Sequence, residues 1–170
     1  MDPSLLSIGM ETGPNQLWTS ADADHTGADD RRSVSGWAIM RAGAMLAWSS
    51  KCQPVTAISS TESEFYSVSQ FALDCVYLRQ IMELLGYEQT APTPSMQDNN
   101  AWIFLGKGSG MYVRAKHINT RVHRVREFAA ADKPEVKLYK IAGEYQLADI
   151  FTKGLPRVAF QRHRRTLMGE

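Results

Sequence analysis

The stretch "ISSTESEFYS", residues 58–67, places two glutamates one residue apart at the start of a predicted helix. Apolar spacing predicts that this helix runs from about residue 61 to 85 and ends at Gly86. At about 100° per residue, Glu64 lies on the axis of the apolar stripe, and Glu62 lies about 160° away. The stripe consists of Val68, Phe71, Cys75, Leu78 and Met82. The helix therefore carries one carboxylate, Glu64, on the side that it should bury.

Two explanations of this inward glutamate are open from the local pattern. Thr61 and Glu64 have the Thr-x-x-Glu spacing of a capping box, in which the glutamate side chain accepts a hydrogen bond from a backbone N–H at the start of the helix. Alternatively, the first turn overhangs a site that requires a carboxylate. A buried carboxylate without a partner is too costly to persist, so the second explanation requires a cation or a proton beside it.

Three aspartates occupy comparable positions in the predicted order of elements. Asp22 lies near the end of the first strand, Asp98 ends the fourth, and Asp149 opens the last helix. Each has an ordinary explanation: a solvated strand end, an N-cap and a first-turn acid favoured by the helix dipole, respectively. Together with Glu64, however, they form a recurring set of acids at element ends, which is less expected by chance.

The remaining pattern predicts an α/β domain. The first strand is "QLWTSADAD", and residues 36–51 form an antiparallel hairpin that turns at 41–43. Residues 91–98 and 135–141 supply two further strands. Helices are expected at 99–107, at 116–131 and from 145 onward. We divide the chain into a loose leader (1–15), one domain (16–156) and a basic tail (157–170) that we expect to be helical.

Composition limits the class of protein. A length of 170 residues suits one domain with a real core, and 44% hydrophobic with 22% charged residues is typical of a globular protein. No apolar run approaches the roughly 20 residues of a transmembrane helix, so we expect an intracellular protein without a membrane partner. Cys52 and Cys75 are expected to be free thiols. Residues 101–130 hold six Lys or Arg and a single acid, Glu127, which suggests a basic surface that binds a polyanion.

Five motifs together resemble the ribonuclease H domain of copia-type LTR retrotransposon Pol polyproteins. The resemblance runs from about Trp18 to Phe160, which is nearly the whole chain. The spacing of the motifs makes the match more specific than any one of them. They are "DADHTGADDRRSVSGW", "WSSKCQPVTAISSTESEF", "QDNNA", "RAKHINTRVHRVRE" and "YQLADIFTKGLP".

The resemblance implies a ribonuclease H-like fold, which is a mixed five-stranded sheet with its first three strands antiparallel, flanked by helices. It also implies four catalytic carboxylates that bind two Mg²⁺ ions, or Mn²⁺ instead. Carried over residue by residue, these are Asp22, Glu64, Asp98 and Asp149. Mg²⁺ prefers such oxygen ligands, and two divalent ions can stabilise the attacking water and the leaving oxygen of a phosphodiester. Asp24 either supports the metal through water or stabilises the turn.

The implied reaction is cleavage of the RNA strand of an RNA–DNA hybrid, with a reverse transcriptase domain expected upstream in a full polyprotein. Either the retroelement particle in the cytoplasm or the nucleus fits this role. The predicted nucleic-acid contacts are Asn99, Asn100, Lys116, His117, Arg121 and Arg124. Their alternatives are a helix start for the asparagines and His117, and a solvated basic face for the others. The competing function is an inactive nucleic-acid-binding relic of a polyprotein; a nuclease or integrase acting on DNA fits the glutamate placement less well.

Overall fold

The structure, a computed structural model, describes residues 13, 15–25, 32–54, 57, 59–99, 123, 127–129 and 132–170. The sheet strands are β1 (Trp18–Asp24), β2 (Val34–Arg41), β3 (Ala44–Cys52), β4 (Thr93–Gln97) and β5 (Val136–Lys140). Their order across the sheet is β3-β2-β1-β4-β5. The first three strands pair antiparallel, whereas β4 is parallel to β1 and β5 is parallel to β4. This confirms the predicted fold class.

The tight connection between β2 and β3 follows the predicted hairpin. Ala42 and Gly43 both have positive φ, of 51° and 84°. Two successive positive φ values match the right-handed twist of the two strands and are typical of a two-residue hairpin turn. Glycine adopts this conformation without strain, whereas Ala42 is the one non-glycine residue with positive φ in the described ranges.

The long helix α1 (Ser60–Leu84) has well-formed ends. Its N-cap is Ser59, whose hydroxyl accepts the N–H of Glu62 at 3.2 Å. The capping box of Thr61 and Glu64, one of the two explanations left open for the inward glutamate, therefore does not apply; the cap lies two residues earlier, in the pattern Ser59-x-x-Glu62. At the other end, Gly86 donates to the carbonyl of Glu83 and Tyr87 to that of Met82, with φ of 83° at Gly86. This Schellman arrangement confirms the predicted stop at Gly86.

The sheet separates two apolar cores because successive residues of a strand point to opposite faces. On β2, Trp37 and Ile39 join Phe71 and other α1 residues in one core. Ala38 and Met40 face the second core with Leu147 and Leu167. The central strand β1 is therefore buried on both faces.

The chain after β5 does not form the single helix predicted from residue 145. It forms a 3₁₀ turn (Gly143–Tyr145), a second 3₁₀ helix (Leu147–Phe151) and then the α-helix α2 (Arg157–Met168). Gly154 and Pro156 lie between the last two, and a proline cannot donate the backbone hydrogen bond that a continuous helix needs. Most of the helices predicted at 99–107 and 116–131 lies outside the described residues.

The two cysteines are free, as predicted, and their environments differ. Cys52 is exposed at the end of β3, whereas Cys75 is buried in the α1 core. Burial raises the pKa of the Cys75 thiol to about 12, so that it remains protonated near neutral pH. Within the described ranges, no helix combines the length and apolarity needed to cross a bilayer.

Replacing Ala42 by Asn should stabilise the hairpin. Asn tolerates the left-handed region and precedes glycine in the preferred hairpin turns, so we expect a gain of about 0.5 kcal/mol in the free energy of unfolding. Chemical denaturation measures this change. Ala91→Asn is the matched control, because Ala91 is exposed and its φ is not positive. An equal gain in both variants would contradict the backbone explanation.

Candidate metal centre

Strand pairing brings the first two aspartates together. In the parallel β1–β4 pair, Thr19 lies opposite Ser95 and Ser20 opposite Met96. Continuing this register places Asp22 opposite Asp98, just beyond the end of β4. Parallel strands end at the same edge of a sheet, so both aspartates lie at one edge.

The third aspartate, Asp149, reaches the same edge on the second 3₁₀ helix. That helix crosses β2 at Gly36, the residue paired with Asp22 across the β1–β2 ladder. A Cβ on Gly36 would lie 2.7 Å from Thr152 Cγ2 and 2.8 Å from Phe151 Cβ. Glycine at this position therefore allows the helix to approach closely enough to place Asp149 beside Asp22.

The three aspartates form a compact cluster of carboxylates. One oxygen from each of Asp22, Asp98 and Asp149 lies within 4.8 Å of the others. Asp22 and Asp149 are buried, with 4% and 8% of their surfaces exposed, and Asp98 is half-buried. Burial raises the pKa of Asp149 to about 7; the ammonium of Lys153 opposes the shift, and the charge of Asp22 adds to it.

The donor set fits a divalent metal ion. Asp149 Oδ1 is buried and accepts no aligned hydrogen bond from the described part of the chain. Lys153 Nζ is 2.9 Å from that oxygen and forms an ion pair with it. A buried carboxylate oxygen whose neighbour is a partly exposed lysine, beside two further carboxylates, is a suitable ligand for a hard cation such as Mg²⁺.

Two neutral side chains that the sequence analysis did not identify hold the aspartates in place. Thr152 Oγ1 donates a hydrogen bond of 2.6 Å to Asp22 Oδ2. Gln146 is fully buried; its amide nitrogen lies 3.1 Å from the Ala21 carbonyl and 3.5 Å from Asp98 Oδ1, and its oxygen accepts from Ser20. Both residues belong to "YQLADIFTK". Their polar side chains lie close in sequence to the candidate ligand Asp149, and this proximity is the feature of the sequence that could have identified them.

The glutamate pair lies on α1, close to the same edge of the sheet. Ser67, one turn after Glu64, donates a hydrogen bond of 2.7 Å to the backbone carbonyl of Asp22. Glu64 is buried, as expected, at 7% exposed, although its carboxylate is not among the three within 4.8 Å. Its role as a ligand stays a prediction. Glu62 is also buried, at 5% exposed, so the expectation that it faces away from the buried side is wrong.

A buried glutamine fixes the first turn of α1 relative to the sheet. Gln53 Nε2 is 2.8 Å from both Ser35 Oγ on β2 and the Ser63 carbonyl on α1. Ser35 precedes Gly36, so this bridge joins the helix that carries Glu64 to the strand on which the second 3₁₀ helix packs. The position of Glu64 is thereby tied to the same part of the sheet as the aspartates.

The predicted nucleic-acid contacts are only partly covered by the structure. Asn99 is half-buried and immediately follows Asp98, which leaves it next to the cluster. Asn100, Lys116, His117, Arg121 and Arg124 lie outside the described residues. The contribution of these residues to binding stays a prediction.

Comparison with solved structures identifies the fold class. LC11-RNase H1, isolated from compost by a metagenomic approach, superposes with a TM-score of 0.60 at 15% identity, covering 81% of this chain and 93% of that one. LC11-RNase H1 in complex with RNA/DNA hybrid gives a TM-score of 0.59 at 13% identity, covering 81% and 94%. The fold is that of ribonucleases H.

Sequence comparison identifies the family. The chain is 33% identical over 141 residues, 82% of its length, to the retrovirus-related Pol polyprotein from transposon TNT 1-94 of Nicotiana tabacum. The chain spans about a tenth of the length of the curated relatives that it matches most extensively. No family model matches it. The chain belongs to the family of retrovirus-related Pol polyproteins from transposons, and its fold is that of ribonucleases H, which agrees with the resemblance seen in its motifs.

The close approach at Gly36 gives a test of how the site is assembled. Gly36→Ala should push the second 3₁₀ helix away from β2, lower the free energy of unfolding by about 1–3 kcal/mol and weaken divalent-metal binding. Calorimetry and thermal melts measure both effects. Gly154→Ala is the matched control because nothing lies within 4 Å of its added Cβ. Unchanged metal binding in Gly36→Ala would contradict this account of how Asp149 is positioned.

Proposed function

We propose that this chain is a metal-dependent ribonuclease H that hydrolyses the RNA strand of an RNA–DNA hybrid. The observation that carries the proposal is the cluster of Asp22, Asp98 and Asp149 within 4.8 Å on a ribonuclease H fold. Glu64, on the adjacent turn of α1, completes the proposed acid set. The relationship to retrotransposon Pol polyproteins supports a role in removing RNA from hybrids during reverse transcription, with a reverse transcriptase domain as the expected partner.

The proposed metal ligands are Asp22, Asp98, Asp149 and Glu64. Divalent ions bound there, two Mg²⁺ in this proposal, would supply an activated water and charge stabilisation for the leaving oxygen. The side chains contribute a fixed arrangement of negative charge in a largely buried setting. Thr152 orients the Asp22 carboxylate, and Gln146 links Asp98 to β1. Because these hydrogen bonds hold the carboxylates in place, little rearrangement would be needed for the ligands to bind metal.

Recognition of the hybrid requires contacts to both strands. The 2′-hydroxyl groups of RNA, displayed in a wide minor groove, distinguish RNA from DNA. Phosphate contacts fix the position and orientation of the protein on the duplex. Asn99 lies beside Asp98 and is the proposed ribose contact closest to the cluster along the chain. The basic residues of the 116–131 segment are the proposed phosphate partners, so binding should weaken steeply with salt.

Removing one ligand charge tests the proposed reaction. Asp98→Asn should reduce cleavage of labelled RNA in a hybrid by at least about a hundredfold, the scale of losing one preorganised electrostatic contact. The amide retains the volume of the carboxylate, so the fold should persist. A gel assay in Mg²⁺ and in EDTA measures cleavage, and circular dichroism checks the fold. Metal-independent binding of hybrid without cleavage by the parent protein would favour the inactive relic instead.

The two buried glutamates provide a matched pair of variants that tests whether Glu64 is the fourth metal ligand. Glu64→Gln should lose activity in Mg²⁺ because it removes a proposed ligand charge. Glu62→Gln should remain close to the parent, since Glu62 lies about 160° from Glu64 on the helical wheel and is not a proposed ligand. The same cleavage assay compares them at equal protein concentration. Loss of activity in Glu62→Gln alone would move the ligand assignment by two residues.

A further inference from the structure

Lys153 brings a positive charge into the acidic cluster. Its ammonium is 2.9 Å from Asp149 Oδ1 and 4.0 Å from Asp22 Oδ2. The side chain is 40% exposed, whereas the Asp22 side chain is 5% and the Asp149 side chain 12% exposed. Lys153 therefore extends from the surface into a buried group of acids.

The backbone holds Lys153 in this position. Its N–H donates to the Asp149 carbonyl at 3.1 Å, and the preceding residue, Thr152, is hydrogen-bonded to Asp22. Other cations nearby have different partners: Lys140 binds the backbone carbonyl of Asp98, and Arg162 pairs with Glu144. In the ranges that the structure describes, Lys153 is the only cation that forms ion pairs with the cluster carboxylates.

We infer that Lys153 is the resident counter-ion of the metal-free cluster and competes with the divalent ion for Asp149 Oδ1. This inference rests on the metal site of the proposed function. Carboxylates this close repel one another, and a nearby ammonium reduces that repulsion. The same ammonium lies against an oxygen that accepts no aligned hydrogen bond from the described residues. A flexible, partly exposed lysine can turn toward solvent at small cost, which leaves that oxygen to the metal.

Competition between Lys153 and Mg²⁺ for the same oxygen can be tested by removing the charge of the lysine. If Lys153 and Mg²⁺ compete, removing the lysine charge should destabilise the metal-free protein and tighten Mg²⁺ binding. Lys153→Met keeps the approximate length of the side chain without its charge. We expect binding of Mg²⁺ to tighten by about fivefold, the low end of measured coupling between sites.

Isothermal titration of Mg²⁺ into the full chain, at one fixed pH and without nucleic acid, measures this affinity. Thermal melts in EDTA measure the metal-free stability of the same variants. Lys137→Met is the matched control because Lys137 lies over the Tyr139 ring and not against the cluster acids. Unchanged or weaker Mg²⁺ binding in Lys153→Met would overturn the inference and favour a phosphate-binding or positioning role for Lys153.

A second measurement uses the parent protein, so that it does not depend on the folding of a variant. Reductive methylation read by mass spectrometry should modify Lys153 faster with Mg²⁺ present than in EDTA, with Lys137 unchanged. Equal modification of Lys153 in both conditions would overturn the competition. A parent chain that binds no Mg²⁺ would refute the metal site itself. Tight Mg²⁺ binding that is unaffected in Lys153→Met would refute only the role of the lysine.

Discussion

The approach of the second 3₁₀ helix to Gly36 is the constraint on which the site depends. Pairing of β1 with β4 brings Asp22 and Asp98 to one edge of the sheet, but Asp149 comes from a segment far along the chain. Direct backbone contact at Gly36 brings that segment close enough for Thr152 to bond Asp22. A larger residue there would separate the third carboxylate from the first two. The geometry of the acidic cluster therefore depends on a residue that has no side chain.

The site also illustrates how a protein tolerates concentrated negative charge. Burial favours the protonated form of Asp149, a lysine lies beside it, and neutral donors from Thr152 and Gln146 hold the other two aspartates. Each arrangement reduces the charge repulsion within the cluster or the cost of its desolvation. None of them provides a hydrogen bond to every carboxylate oxygen. The Asp149 oxygen is held by a partly exposed lysine, which can move aside for another cation.

Sequence patterns predicted the sheet, the hairpin turn and the stop of α1 at Gly86, because these depend on local propensity and strand order, whereas the aspartates were grouped into one site through the resemblance of the motifs to a family. The patterns failed where tertiary contact decides the outcome. Glu62 is buried although the helical wheel turns it from the apolar stripe, since the wheel reports only the main core and not the additional contacts of the first turn. The hydrogen bonds of Gln146 to Ser20 and of Thr152 to Asp22 join residues more than 120 positions apart, so a local pattern can point to polar residues beside a candidate ligand but cannot identify their partners.

Strand β1 carries Asp22 between two separate apolar cores, so the acidic cluster is sensitive to substitutions in either core. A destabilising substitution in either core lowers the folded fraction, and with it the fraction of molecules that hold the acids together. The positions at which a substitution can disperse the cluster therefore extend over both layers, well beyond the three aspartates. Apolar residues such as Phe71 and Leu167 help to position these carboxylates by stabilising the fold.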